Sequence, residues 1–247
     1  MLETRNLDKS FGSIHVTRDV SLKLERGERR VILGPNGAGK TTLFNLLVGE
    51  LTPDSGDILL AGEDVTALPV ALRSRRGLSR SYQKNTLFDG LTVEENLGLA
   101  AAVKAGHATR LWSDSLTRPE VRDTVAEVAE QVRLMPYLHA RVSEISYGVR
   151  RQLEVGVALA TRPLVLLMDE PTSGVGPEMS RGFHDLLNDL PRDLTMLIIE
   201  HDMDLAFDVA DTITVLNYGE VVFDGLPQEA RGSKLLSDIY LGSWEDA

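Results

Sequence analysis

The chain has 247 residues, of which 43% are hydrophobic and 26% are charged, and it contains no cysteine. This composition predicts a globular protein with a sizeable core, and it excludes disulfides, thiolate metal sites and thiol nucleophiles. Lysine and arginine number 26 against 37 aspartate and glutamate, and the formal net charge of −11 argues against a broad electrostatic contact with nucleic acid or anionic lipid.

Short β-like runs alternate with helical stretches along the chain, which predicts an α/β core. Three runs are continuously apolar, as strands covered on both faces should be: 31–33, 164–168 and 196–199. A long, mostly helical stretch separates the first two runs, and we expect it to form a helical subdomain inserted into the core. Within it, four valines recur at helical spacing over 119–134. This stripe is typical of ordinary packing, with a docking surface as the alternative.

A glycine-rich loop with the spacing G-x-x-x-x-G-K-T joins the first apolar run to a helix-like stretch. Its residues are Gly34, Pro35, Asn36, Gly37, Ala38, Gly39, Lys40 and Thr41, and Thr42 follows them. Such a loop turns successive backbone N–H groups inward at the positive end of the following helix, which forms a nest for phosphate oxygens. Lys40 can then reach the β- and γ-phosphates, and the Thr41 hydroxyl can hold Mg²⁺. The loop therefore predicts a nucleotide site.

Arginines cluster further along, before the long helical stretch. Four of them lie close together in the sequence: Arg73, Arg75, Arg76 and Arg80. This pattern is typical of a solvated basic face, and a contact with phosphate or with a partner protein is the alternative.

Ionisable residues follow the two later apolar runs. Asp169 and Glu170 end one of them, and His201 lies at the end of the other. Because ligands of open α/β sheets sit beyond the carboxyl ends of strands, we expect Asp169 and Glu170 to face the same crevice as the phosphate loop. Asp169 is placed to orient Mg²⁺ through water, Glu170 to polarise the attacking water, and His201 to contact the γ-phosphate or that water. A helix cap or solvated turn is the alternative for the carboxylates, and a structural role for the histidine.

The phosphate loop is followed by further motifs, whose order along the chain is informative. They are Gln83 after a strand, Ile145-Ser146-Tyr147-Gly148 at the start of a helix, Asp169-Glu170-Pro171-Thr172, and then His201. This order resembles that of the ATP-binding cassette (ABC) ATPases over nearly the whole chain. The resemblance implies an α/β fold with a P-loop NTPase core, an antiparallel β subdomain and an inserted helical subdomain. It implies one nucleotide-binding domain over 1–247, with the helical subdomain at roughly 85–155.

The resemblance also implies roles for individual residues. Ser146 and Gly148 would belong to a signature loop whose helix N-terminus faces ATP held by a second cassette. Gln83 would touch Mg²⁺ and sense a membrane partner, and Phe11 would stack on adenine. The implied cofactors are ATP and Mg²⁺. The implied catalytic residues are Glu170, His201 and Gln83, and those near the metal are Thr41, Gln83 and Asp169.

Several short sequence segments are similar to segments in the cassette subunits of branched-chain amino acid importers. They are Arg80-Ser81-Tyr82-Gln83, Leu87-Phe88, 91–97, Tyr147-Gly148, 199–203 and Tyr240-Leu241-Gly242. Lipopolysaccharide-export cassettes have a similar tail, and urea importers share much of the rest. We therefore expect an ATPase that powers a membrane transporter, an importer of branched-chain amino acids or related small solutes. A lipopolysaccharide-export cassette is the alternative.

The resemblance implies transmembrane permease subunits and a second cassette as partners. No segment approaches the roughly 20 apolar residues that cross a bilayer, and no secretion signal is evident. We expect a cytoplasmic chain on the inner face of the membrane that contacts it only through the permease and binds no nucleic acid. Leu87 and Phe88 are candidate permease contacts, with burial as the alternative. Two other classes stay open: an ATP-gated clamp on nucleic acid or ribosomes, and a regulatory protein with weak hydrolysis.

Two positions depart from the cassette pattern. Val149 stands where the signature usually carries glutamine or glutamate, and Gly176 stands where the loop after the second carboxylate motif usually carries aspartate or asparagine. Val149 removes a polar side chain near the partner's phosphate site, and Gly176 removes a group that would cross the dimer interface and adds backbone freedom. Because a homodimer would repeat both changes at each site, we predict pairing with a different cassette.

Overall fold

The computed structural model describes residues 1–81, 87–106, 117–173 and 176–242. The strands in these ranges are β1 (Leu2–Phe11), β2 (Ile14–Leu24), β3 (Arg29–Leu33), β4 (Ser55–Leu60), β5 (Glu63–Asp64), β6 (Leu78–Ser81), β7 (Val165–Asp169), β8 (Thr195–Ile199), β9 (Thr212–Asn217) and β10 (Glu220–Gly225). The helices are α1 (Lys40–Val48), α2 (Val70–Arg75), α3 (Val93–Lys104), α4 (Pro119–Gln131), α5 (Tyr147–Ala160), α6 (Pro177–Asp189), α7 (Met203–Val209), α8 (Pro227–Arg231) and α9 (Lys234–Gly242).

The chain divides into two compact units. The first unit combines Met1–Arg76 with Arg192–Ala247, and the second unit is Gly77–Pro191. The single domain over 1–247 and the helical subdomain at roughly 85–155 stay predictions. Within the described ranges, no helix is long and apolar enough to cross a membrane.

The first unit holds an antiparallel sheet and a set of parallel strands. The antiparallel sheet has the order β2-β1-β4-β5. In the parallel set, β3 lies between β8 and β9, with Val31 opposite Ile198 on one side and Ile213 on the other. Strand β10 pairs antiparallel with β9. Every residue of β3 and β8 is buried, as their continuous apolar runs predicted. The central strand β3 therefore leads into the phosphate loop from the middle of this unit's core.

Arg73 holds the far end of α1, the helix that follows the phosphate loop. Its guanidinium donates to the carbonyl oxygens of Leu46 at 2.6 Å and Leu47 at 2.7 Å, in the last turn of that helix. It also donates to the carbonyl oxygens of Thr66 at 2.7 Å and Leu68 at 2.9 Å. Burial lowers the pKa of Arg73. The position is nonetheless favourable, because a cation at a helix C-terminus complements the helix dipole and satisfies its last carbonyls.

The predicted basic surface patch is therefore wrong at Arg73, which is 1% exposed. Arg75 is exposed, and Arg76 pairs with Glu63 across 3.2 Å at the surface, so these two lie on a solvated face. The difference arises because the spacing of charges along a sequence does not show which one reaches the end of a distant helix.

The second unit pairs β6 with β7 in parallel and packs α3, α4 and α5 against one another. The four valines of the 119–134 stripe are at most 6% exposed, so the stripe is ordinary packing. Gly156 of α5 allows the helices to approach closely, since a Cβ there would lie 3.0 Å from Leu97 and 3.1 Å from Val132. Thr92 and Glu95 begin α3 with a reciprocal capping box.

Candidate functional site

The phosphate loop begins where β3 ends, and two of its glycines, Gly34 and Gly39, occupy space that admits no side chain. A Cβ at Gly34 would lie 2.2 Å from the carbonyl oxygen of Leu216, and one at Gly39 would lie 2.5 Å from that of Val16. Gly39 also has a φ of +100°, which residues with a side chain rarely adopt. Backbone from β9 and β2 therefore confines the two ends of the loop, as a rigid anion nest requires.

Lys40 folds back over the loop that precedes it. Its ammonium donates to the carbonyl oxygens of Gly34 at 2.5 Å and Pro35 at 3.1 Å, and the residue is 7% exposed. Helix α1 begins at Lys40 and has no acidic residue in its first turn. A fixed cation, a helix N-terminus and a glycine nest therefore meet at one point, which suits the phosphates of a nucleotide.

The remaining loop residues leave polar groups at the surface. Asn36 and Gly37 are exposed at the tip, Ala38 is buried, and the Thr41 side chain is exposed in the first turn of α1, beside the half-buried Thr42. Mg²⁺ keeps several water ligands and takes few protein oxygens beside the phosphates. The exposed Thr41 hydroxyl next to a phosphate nest therefore fits a Mg²⁺ ion that is bound together with a nucleotide.

His201 lies in the same unit, just beyond the carboxyl end of β8, which pairs in parallel with β3. Its imidazole is largely exposed, and Nδ1 lies 3.7 Å from Oε2 of Glu200. Glu200 is fully buried, and the same Oε2 accepts hydrogen bonds from the backbone N–H of His201 at 3.0 Å and of Asp202 at 3.3 Å. This carboxylate orients the loop that carries His201. No role was predicted for Glu200 from the sequence, although a glutamate directly after an apolar strand is a usable signal.

Phe11 ends β1, also in the first unit. It pairs with Ile14 across the turn to β2, and 47% of the residue is exposed. The Lys9 ammonium lies 5.7 Å from the ring centroid. An exposed ring of this kind has a face available for stacking on a base.

Asp169 and Glu170 lie in the second unit, where β7 ends. Asp169 is 8% exposed, and Glu170 has a φ of +45° in the left-handed region. Glu170 begins a turn. The N–H of Ser173 closes this turn by donating a hydrogen bond to the carbonyl oxygen of Glu170 at 3.0 Å. A glutamate in this conformation is strained, and such outliers concentrate at functional sites.

Ser146 caps α5, so the signature motif marks the start of this helix. The Ser146 hydroxyl accepts a hydrogen bond from the N–H of Val149 at 3.4 Å. A Cβ at Gly148 would lie 3.0 Å from the Met179 sulfur, so the glycine allows α6 to approach α5. A cavity of about 420 Å³ opens beside Ser146 and Gly148, with Tyr137 among its lining residues. The positive pole of α5 is thus reachable from a groove.

Gln83 lies outside the described residues, so its predicted contact with Mg²⁺ stays a prediction. Among the residues that the structure covers, no group of three or more His, Cys, Asp or Glu side chains could hold a metal ion.

Residues 17–173 match the family described as ABC transporter. The chain belongs to the ABC transporter family. It is 34% identical to the high-affinity branched-chain amino acid transport ATP-binding protein BraF of Pseudomonas aeruginosa, over 98% of both chains. It is 33% identical to the lipopolysaccharide export system ATP-binding protein LptB of Haemophilus influenzae, over 98% of this chain and 97% of the relative.

A solved structure gives the same result for the fold. An ATP-binding cassette of an ABC transporter, in its ADP conformation, superposes with a TM-score of 0.82 at 28% identity and covers 98% of each chain. The comparisons confirm the predicted P-loop NTPase fold class, the ATP-hydrolysing enzyme class and a nucleotide as the ligand.

The confinement of the loop gives a prediction for Gly39→Ala. We expect this variant to lose about 3 kcal/mol of unfolding free energy, because its Cβ must displace the Val16 carbonyl and φ stays strained. Gly37→Ala is the matched control, because Gly37 has a φ of +80° but a Cβ there meets nothing within 4 Å. Its expected cost is about 1 kcal/mol, from strain alone. Urea unfolding measures both variants, and equal losses would contradict the confinement.

Proposed function

We propose that this chain is the ATP-hydrolysing subunit of a membrane transporter that imports branched-chain amino acids or related small solutes. The observation that carries the proposal is a phosphate loop built around Lys40 in a chain that matches BraF along 98% of both lengths. Lipopolysaccharide export is the second candidate, because LptB is nearly as similar over almost the same span.

The first unit would bind the nucleotide. Its glycine nest and Lys40 would hold the β- and γ-phosphates, with Mg²⁺ on the Thr41 hydroxyl and the Phe11 ring on adenine. Bound Mg²⁺ would neutralise charge on the phosphate oxygens. His201, whose loop is fixed by the buried Glu200, would contact the γ-phosphate or the attacking water.

The second unit would supply the hydrolytic carboxylate. Glu170 would polarise the water that attacks the γ-phosphate, and Asp169 would orient Mg²⁺ through water. Gln83 would touch Mg²⁺ and is the third proposed catalytic residue, with Glu170 and His201. The strained backbone of Glu170 supports this assignment, because a turn that holds a glutamate at a φ of +45° fixes the direction of its Cα–Cβ bond.

A second cassette would complete each site through Ser146 and Gly148. Helix α5 offers its N-terminus there, which favours the phosphate of a nucleotide held by the partner. Val149 and Gly176 lack the polar side chains that would support this arrangement. We therefore propose that the partner is a different cassette that carries the usual residues. A regulatory protein with weak hydrolysis remains the competing function that these two positions favour.

Phe88 is the proposed contact with the permease, on the cytoplasmic side of the membrane. It is 58% exposed, whereas Leu87 is half-buried. The buried amide of Asn96 fixes the Phe88 backbone from both sides: Oδ1 accepts from its N–H at 2.9 Å, and Nδ2 donates to its carbonyl at 3.2 Å. A rigidly presented aromatic ring loses little entropy when it enters a pocket on a partner.

The proposed role of Glu170 is tested with Glu170→Gln, which keeps the shape of the side chain and removes its basicity. We expect ATP hydrolysis to fall at least about a hundredfold, with little change in the affinity for ATP, because general-base assistance is typically worth that much. The measurement is steady-state ATPase activity with nucleotide titration, on the chain alone and with its permease. A wild type that binds ATP and never hydrolyses it in either setting would favour the regulatory function.

Pairing with a different cassette predicts a gain of activity in the double variant Val149→Gln, Gly176→Asp. Gly176 caps α6 at a φ of −72° with open space at its Cβ, so aspartate fits there and can cap the helix. We expect the ATPase rate of the purified chain alone to rise about threefold or more, a transition-state gain of roughly 0.7 kcal/mol. Val103→Gln, at an exposed position of the same unit, is the control. A wild type that is fully active alone would refute the pairing.

The permease contact predicts that Phe88→Ala uncouples transport. We expect stimulation of ATPase activity by the permease to drop about tenfold, the loss typical of removing a central interface aromatic, while the chain alone keeps its activity. Val103→Ala, 60% exposed in the same unit, is the matched control and should change neither. Equal stimulation of Phe88→Ala and wild type in reconstituted vesicles would place the contact elsewhere.

A further inference from the structure

The turn that carries Glu170 needs an external support. A φ of +45° costs a residue with a side chain roughly 1 kcal/mol or more, and it persists only where surrounding contacts impose it. The hydrogen bond from Ser173 to Glu170 closes the turn from within. A second contact reaches the same turn from α5, because the hydroxyl of Tyr147 donates to the carbonyl oxygen of Ser173 at 3.4 Å.

Arg151 sets the direction of the Tyr147 hydroxyl. Its Nε donates to the hydroxyl oxygen at 2.9 Å, and its guanidinium lies 5.1 Å from the centroid of the Tyr147 ring. A guanidinium has donors and no acceptor, so the tyrosine oxygen must accept from it. The single hydroxyl hydrogen is then left for another acceptor, and the Ser173 carbonyl is at hand.

Glu154 anchors Arg151 one turn further along α5. Its Oε2 accepts from Nη1 of Arg151 at 2.8 Å, and the two side chains are 13% and 11% exposed. Burial raises the pKa of Glu154, and the hydrogen bond from Arg151 opposes that effect. Both residues line a small cavity together with Asp169 and Pro171, so the pair lies directly beside the end of β7 and the start of the turn.

We propose that Tyr147 is a positioning residue for Glu170. Its hydroxyl, directed by the Arg151–Glu154 pair, holds the 170–173 turn in the conformation that aims the Glu170 carboxylate. The signature helix would thus fix the hydrolytic glutamate of its own chain, in addition to any contact with a partner's nucleotide. This inference rests on the proposed role of Glu170 in water attack.

The test is Tyr147→Phe, which keeps the ring against Arg151 and removes only the hydroxyl. We expect kcat for ATP hydrolysis to fall about threefold to tenfold, the worth of one hydrogen bond, with KM for ATP changed less than about twofold. The assay uses the purified chain, or its complex with the permease if the chain alone is inactive. Ser143→Ala, which removes an exposed hydroxyl of the same unit, is the control and should leave both parameters unchanged.

A double-mutant cycle separates positioning from general packing. If Tyr147 acts through Glu170, adding Tyr147→Phe to Glu170→Gln should leave the residual rate unchanged, whereas an independent effect would multiply. Arg151→Lys, which keeps the charge and loses the planar fork, should reproduce the fall in kcat. An unchanged kcat in Tyr147→Phe, a change confined to KM, or a multiplicative double variant would each overturn the inference. If instead Glu170→Gln is as active as wild type, the proposed role of Glu170 itself fails.

Discussion

The close packing of backbone against the phosphate loop is the constraint on which the first unit depends. Carbonyl oxygens of Val16 and Leu216 occupy the space that side chains at Gly39 and Gly34 would need. The N–H of Gly219 adds a hydrogen bond to the carbonyl of Ala38 at 3.0 Å. Because strand β2 and the β9–β10 hairpin fix the loop, its N–H groups are in place before a phosphate arrives. Such preorganised dipoles spend no energy on reorganisation when charge is bound.

The same helix is held at its other end by a charge. Arg73 satisfies the carbonyls in the last turn of α1 and ties them to the carbonyls of Thr66 and Leu68. The helix therefore has a fixed cation at its C-terminus and an open, positive N-terminus where the loop lies. Its orientation is set by contacts that are distant in sequence, which keeps the phosphate nest aligned with the end of β3.

Patterns that are local in sequence predicted the buried strands well. Features that depend on contacts between distant parts of the chain, such as the burial of Arg73, were predicted poorly. The apolar runs at 31–33 and 196–199 lie in buried parallel strands, because a strand covered on both faces is apolar throughout. Strand β1 does not stand out in the sequence, because its polar and apolar residues mix without a strict alternation. Arg73 was misassigned for a related reason: the sequence does not distinguish a buried arginine that donates to four carbonyl oxygens from a solvated arginine.

The candidate site divides in the same way. The phosphate loop could be read from its spacing, since glycine is required wherever backbone approaches closely. The proposed support of Glu170 could not be read from the sequence. Tyr147, Arg151 and Glu154 reach a turn some twenty residues away through hydrogen bonds, and no rule of residue spacing describes them. In the proposed function, phosphate binding thus depends on backbone geometry in the first unit, and the placement of the proposed hydrolytic carboxylate depends on side chains in the second unit. Val149 and Gly176, the two departures from the cassette pattern, both lie in the second unit. In the proposed function they would therefore affect turnover and pairing, whereas the glycine nest lies in the first unit.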